Sequence, residues 1–190
     1  MILMNQEIKV LAISGSLRQK SSNTALMKAT IGLAPEHMIF TVYGGLGDLP
    51  HFNPDLDIDE GPASVRELRE QLKQVDGVLI CTPEYGNGVP GALKNALDWL
   101  VSSGEFVNKP TAVISASPSP MGGSLAHASL LLTLQMINAE IVENGKVIIP
   151  HITLKLDREG VITNAETRQE LQALLQGLKQ ACRGQHITGT

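Results

Sequence analysis

Ile8-Lys9-Val10-Leu11-Ala12-Ile13-Ser14-Gly15-Ser16-Leu17-Arg18-Gln19-Lys20-Ser21-Ser22-Asn23-Thr24 passes from a short apolar run into a hydroxyl-rich turn. Leu26, Ala29 and Leu33 then fall at helical spacing, over 23–33, and Pro35 closes the pattern. A strand leading through a turn into a helix N-terminus exposes backbone N–H groups where the helix dipole is positive, which favours an anion. Hydroxyls at Ser14, Ser16, Ser21, Ser22 and Thr24 and the amide of Asn23 could donate further hydrogen bonds, and Arg18 could grip two phosphate oxygens at once. A Ser-rich turn capped at Ser22 or Asn23 is the structural alternative. The turn lacks GxxxxGK[ST], and Gly15 stands alone, so neither a P-loop nor a dinucleotide fingerprint is present.

The alternation repeats along the chain. Strands are predicted at 38–43, 77–82, 111–116 and 141–149, the last bent or broken at Asn144-Gly145. Helices are predicted at 65–75, 92–101, 125–138 and 165–182, with Thr163 and Glu166 as a capping box for the last. Five β-α units predict an α/β fold, one doubly wound five-stranded parallel sheet of order 2-1-3-4-5 with helices on both faces, over a single domain at 1–190. Ligands on such sheets bind beyond the carboxyl ends of the strands, beside strand 1. The loops after strands 1, 3 and 4 therefore converge on one edge.

The loop after strand 3, Thr82-Pro83-Glu84-Tyr85-Gly86-Asn87-Gly88-Val89-Pro90-Gly91, holds a formal G-x-G-x-x-G, but in the wrong strand and with no acid in 111–116 to read a ribose. It offers glycine-exposed backbone that a planar ring can approach, with Tyr85 beside it; a flexible loop whose tyrosine covers core is the alternative. The loop after strand 4, from Ser115 through Ser117 to Ser124, is small, polar and kinked, and could wall the other side of a ring or simply cap a helix at Ser124.

Composition narrows the function. With 190 residues, 43% hydrophobic and 18% charged, the chain is neither disordered nor long enough for two comfortable domains. No apolar run reaches the ~18 residues of a membrane span. The first residues, Met1 to Lys9, show no secretory signal, so a cytoplasmic location is expected. A net charge of −4 without a basic cluster argues against nucleic acid. Cys81 and Cys182 cannot make a disulfide framework, and His37, His51, His127, His151 and His186 are scattered, so no metal site is expected. Cys81 reads as core, the stripe of Leu93, Leu97, Trp99 and Leu100 likewise, His127 as surface or interface, His51 as solvated, and the Asp55, Asp57, Asp59, Glu60 stretch as a solvated face.

Ser14-Gly15-Ser16-Leu17-Arg18 with Ser21 and Asn23, then Pro83-Glu84-Tyr85, then Pro90-Gly91-Ala92-Leu93-Lys94-Asn95-Ala96-Leu97-Asp98-Trp99-Leu100, resemble the NADPH-dependent FMN reductase family, over roughly residues 8–150. The resemblance implies a flavodoxin-like fold, bound flavin mononucleotide (FMN), and a homodimer or homotetramer to which the helix after Pro90 contributes. It implies that Ser14, Ser16, Arg18, Ser21, Asn23 and Thr24 hold the phosphate, that Pro83, Glu84, Tyr85, Gly86 and Asn87 meet the ring, and that Ser115 and Ser117 flank it. Electrons would pass from NADPH or NADH through the flavin to a small acceptor such as a quinone, a flavin, an azo compound or a metal oxyanion, with no catalytic acid or base required of the protein. Gly86 stands where many relatives carry Asn directly after the Tyr, and Leu125 and His127 stand where many carry Arg and Gln. An electron carrier or an FMN-binding regulator on the same fold is the alternative; the modest charge weighs against a carrier docking basic partners.

Overall fold

β1 (Ile8–Ser14) supplies the axis of the fold because its residues are apolar on both sides and bury on both: Val10, Leu11 and Ala12 are all fully enclosed. In the computed structural model, which describes residues 6–188, the elements alternate as β1, α1 (Ser22–Ile31), β2 (Met38–Val42), α2 (Ala63–Lys73), β3 (Gly77–Thr82), α3 (Gly91–Asp98), β4 (Pro110–Ala116), α4 (Ser124–Met136), β5 (Glu140–Ile149) and α5 (Ala165–Thr188). The strands form one sheet in the order β2-β1-β3-β4-β5, every pairing parallel, as the alternation predicts. The reading of the first residues as free of a leader rests partly on 1–5, which lie outside the described residues.

Two apolar clusters sandwich the sheet. One packs Leu26 and Met27 of α1 and Leu171, Leu174 and Leu178 of α5 against one face. The other packs Val65, Leu68 and Leu72 of α2, Leu93 and Leu97 of α3 and Leu130 and Leu134 of α4 against the opposite face. At roughly 1.5–3 kcal/mol for each fully buried large aliphatic side chain, these layers dominate the favourable side of folding. Helices on both faces cover the sheet and leave its carboxyl edge open for loops.

Several element ends differ from expectation for local reasons. Ser21 caps α1: its backbone is extended and its Oγ accepts from Thr24 N at 3.3 Å, so the helix starts at Ser22. Asn164, not the Thr163 and Glu166 pair, caps α5, accepting from Thr167 N at 2.8 Å, while Thr163 Oγ1 donates to Lys155 O. β5 stays in the sheet but is irregular at Asn144-Gly145, as expected. It carries a bulge: Ile141 pairs with Thr111 and Lys146 with Val113, so 142–145 loop past Ala112.

Trp99 and Asn95 pin the neighbouring loop. Trp99 Nε1 and Asn95 Nδ2 both donate to Pro50 O at 2.9 Å, Asn95 Oδ1 accepts from Phe52 N at 2.7 Å, and the Phe52 ring meets Trp99 edge-on at 5.0 Å between centroids. The Trp99 stripe is thus core, as expected, and Cys81 is fully buried too, with desolvation pushing its thiol well above the ordinary value. Asp57 is not part of a solvated face. Its carboxylate takes Arg69 Nη2 at 2.8 Å and Ser102 Oγ at 2.5 Å, and Arg69 also donates to Trp99 O at 2.6 Å. With Asp57 and Arg69 side chains only 11% and 8% exposed, the pair staples the 54–61 loop to α2 and the end of α3.

Candidate flavin site

Gly15 turns the chain off β1, and a Cβ there would lie 2.9 Å from Thr82 Oγ1, so the close approach of the first and third loops requires glycine. Gly15 N donates to Cys81 O at 2.8 Å, fixing the two loops side by side. Beyond it the hydroxyls cluster. Ser14 Oγ and Thr24 Oγ1 lie 2.8 Å apart, Ser16 N donates to Ser14 Oγ at 3.4 Å, and Arg18 N donates to Ser16 Oγ at 3.3 Å. Ser16 Oγ in turn meets the Tyr85 hydroxyl at 3.2 Å, which joins the first and third loops across the edge of the sheet. Arg18 is exposed, and α1 begins immediately behind this cluster.

Asn23 turns inward in this structure. It is 5% exposed, its Nδ2 donates to Ala116 O at 3.0 Å, and its backbone carbonyl accepts from Cys81 Sγ at 3.2 Å. The side chain therefore ties α1 to β3 and β4; what remains at the α1 N-terminus for an anion is its backbone N–H.

The third loop is more ordered than its glycines suggest. Tyr85 and Gly88 exchange two backbone hydrogen bonds of 3.1 Å around Gly86 and Asn87, both at positive φ (56° and 60°), the geometry of a two-residue hairpin. A Cβ at Gly86 or Gly91 would meet nothing within 4 Å. The glycines thus leave bare main chain facing open space, a cradle that suits a planar ring. Tyr85 is 47% exposed beside it.

Glu84 holds the second wall. Its Oε2 accepts from both Leu125 N and Ala126 N at 2.9 Å, so a carboxylate from the third loop caps α4. Ser124 does not cap this helix; Gly123, in the left-handed region at φ 80°, occupies the cap position without a side-chain bond. The Glu84 carboxylate is engaged there, leaving the Glu84 main chain to face a ring. Ser115 likewise turns inward: its hydroxyl is buried without a partner among the described residues, beneath Gly123. Ser117 remains at the surface of the fourth loop, its N–H donating to Ile149 O and its carbonyl accepting from Ile152 N.

His127 is buried within the chain, contrary to the expectation of a surface or interface residue, with 4% exposure and no partner for Nδ1 among the described residues. Desolvation, and then Lys146, hold its pKa below the ordinary value, favouring the neutral imidazole.

The residues fit FMN: hydroxyl and main-chain donors at the α1 N-terminus suit a phosphate dianion, and the open glycine main chain suits the tricyclic ring. Sheet order, loop placement and these donors define a flavodoxin-like, FMN-dependent oxidoreductase. Residues 8–153 match the family described as NADPH-dependent FMN reductase, and the chain belongs to that family. It is 34% identical over 178 residues to an NAD(P)H-dependent FMN reductase of Pseudomonas aeruginosa, covering 93% of this chain and 96% of that protein. It is 33% identical over 157 residues to a quinone reductase of Escherichia coli K12, covering 81% and 84%. The solved structure of FerB from Paracoccus denitrificans, a flavoenzyme NAD(P)H:(acceptor) oxidoreductase, superposes with a TM-score of 0.83 at 33% identity, covering 92% of this chain and 97% of that one.

Sequence reasoning missed the Glu84 cap, the Asp57–Arg69 pair and the Pro50 anchor. The first two join residues far apart in the chain, which no local pattern reports. The third had a faint signal in Asn95 and Trp99, four residues apart and so on one helix face.

Proposed function

We propose that the chain reduces a small quinone with NAD(P)H, and that Ser14, Ser16, Arg18, Ser21 and Thr24 with the α1 N–H groups hold the FMN phosphate. The observation that carries this is the hydroxyl cluster between Gly15 and the capped start of α1, joined through Ser16 and Tyr85 to the open glycine cradle. Bound there, the flavin would supply the two-electron chemistry between dinucleotide and acceptor. Arg18, exposed at the lip, can close on the phosphate; Pro83, Tyr85, Gly86 and Asn87 present main chain to the ring edge; Ser117 stands at the opposite wall. Glu84 positions that wall by holding α4 against the third loop. Quinone as acceptor rests on the named activity of the E. coli relative.

The site is proposed to work in the cytoplasm and in a homo-oligomer. α4 carries apolar side chains on both faces: Leu130 and Leu134 lie in the core, whereas Leu125, Leu132 and Met136 are 52%, 69% and 58% exposed. That face supports self-association through α4 in addition to the helix after Pro90. Among the described residues no helix is long and apolar enough to cross a membrane.

The test is consumption of NADPH by FMN-loaded protein with and without a benzoquinone. Turnover dependent on both components supports the proposal. A flavin-loaded protein inert to NADPH and NADH would mark an electron carrier instead.

A further inference from the structure

Adjoining the proposed phosphate seat, and sharing Ser21 and Thr24 with it, is a groove of about 1040 Å³ whose remaining lining the flavin assignment does not use. It runs between the outer face of α1 and the segment that follows β5. Its floor is apolar, formed by Ala25, Ala29, Leu33, Ile152, Leu156 and Ile162, and its rim carries the cations Lys20, Lys28, Arg158 and Arg168 against the carboxylates Asp157 and Glu159. The volume matches sites that enclose small organic ligands, about 300–1,000 Å³.

The charge is not internally neutralised. Asp157 Oδ1 is occupied by the N–H groups of Glu159 and Val161, both at 2.9 Å, in the turn that shapes the wall. Arg168 Nη2 donates to Ile162 O at 2.7 Å and so is held in place. The side chains of Lys20, Lys28 and Arg158 form no ion pair with any described residue. A chain of net charge −4 thus gathers uncommitted cations around one apolar trough. That combination selects a ligand with a flat apolar part and an anionic end.

The groove also touches both parts of the flavin site. Ser21 and Thr24 of the proposed phosphate seat, with Ser22, are among its lining residues. Ile152, on its floor, donates its N–H to the carbonyl of Ser117 at 3.1 Å, and Ser117 belongs to the loop that walls the ring. The groove therefore adjoins both the proposed phosphate seat and the loop proposed to wall the ring.

We propose that this groove takes the phosphorylated adenosine end of NADPH, with Lys28 and Arg158 pairing with the 2′-phosphate and thereby favouring NADPH over NADH. This rests on the reading that the chain oxidises a nicotinamide dinucleotide. A quinone ring carries no charge and gives the cations nothing to pair with; a ribose phosphate satisfies them and lays its base on the apolar floor.

The experiment uses FMN-loaded protein and the double substitution Lys28→Glu/Arg158→Glu, both at exposed positions. The KM for NADPH rises roughly tenfold, as expected for loss of charge-assisted phosphate contacts, while the KM for NADH and the FMN dissociation constant stay within about twofold. Parallel changes for the two dinucleotides, or no change for either, overturn the proposal. Should the reversal lower stability in urea unfolding, Lys28→Gln/Arg158→Gln replaces it, with the same expected direction. Calorimetry separates this inference from the reductase reading. If neither dinucleotide is oxidised, that reading falls, yet the groove is still tested: 2′,5′-ADP binding the wild type more tightly than 5′-AMP or 3′,5′-ADP, and failing on the variant, upholds it. Equal binding of 2′,5′-ADP and 3′,5′-ADP overturns the 2′-phosphate assignment, and no binding overturns the site.

Discussion

Replacing Glu84 tests whether one carboxylate joins the two walls of the flavin site. Glu84 Oε2 takes two N–H groups of α4 at 2.9 Å each. A hydrogen bond to a charged group contributes about 1.5–3 kcal/mol, and an anion at a helix N-terminus about 0.3–1 kcal/mol. Glu84 is partly exposed and water can replace it at the helix end, so the lower part of the range applies. Loss of a helix cap costs about 0.5–2 kcal/mol in general. Glu84→Ala should therefore destabilise the apo-protein by about 2 kcal/mol, and Glu84→Gln, which keeps an oxygen acceptor without charge, by about 1 kcal/mol. In a chain of this length each kcal/mol lowers Tm by about 2–4 °C. FMN affinity should fall together with stability, roughly tenfold for Glu84→Ala, because α4 and the third loop lose their common anchor. Urea unfolding of apo-protein and flavin-fluorescence titration read the two effects. An alanine variant with unchanged Tm and unchanged FMN affinity would refute the positioning role. Equal losses in Gln and Ala would show that the oxygen acceptor Gln retains contributes nothing.

Arg18→Ala should weaken FMN binding roughly tenfold to a hundredfold, about 1.5–3 kcal/mol for a charged hydrogen-bond partner, and leave unfolding in urea unchanged. An unaltered FMN titration would remove Arg18 from the phosphate seat. Asp57→Asn should cost about 3 kcal/mol at neutral pH, because it leaves Arg69 enclosed without its counter-charge. Bonds from Ser102 and Arg69 hold the Asp57 carboxyl below its ordinary pKa. Its contribution is then complete above the unfolded value of about 3.9 and is lost as pH falls through the lower folded value, so wild-type and variant stabilities should converge in strong acid. Curves that stay parallel down to pH 2 would contradict this. If the proposed homo-oligomer forms through α4, Leu132→Asp should shift it towards monomer in light scattering, since Leu132 is 69% exposed on the apolar face of α4; an unchanged mass would count against that interface.

The sheet was legible because each β-strand is a short apolar run and each crossover a helical pattern, and the order of a doubly wound sheet then follows from chain geometry. The strand, turn and helix start that carry the proposed seat around Ser14, Ser16 and Ser21 were legible for the same reason, being adjacent in sequence, although the cap falls at Ser21 and not at Ser22 or Asn23. What failed to show were functions decided across the sheet. Asn23 and Ser115 looked like open donors because residue type does not report direction; α1 packing takes Asn23 inward to Ala116, and the pleat of β4 turns the Ser115 hydroxyl under Gly123. Glu84 looked like a ring contact, and only the placement of α4 shows its carboxylate capping another helix. His127 looked like a surface or interface residue because its burial depends on which face of α4 meets β5.

The central claim is that the turn after β1 seats the flavin's phosphate. Titrating apo-protein with FMN and with riboflavin, which carries the same ring and no phosphate, weighs that turn alone. The account predicts that FMN binds at least about a hundredfold more tightly, the worth of two or more charge-assisted phosphate contacts. Equal affinities for the two flavins would contradict it.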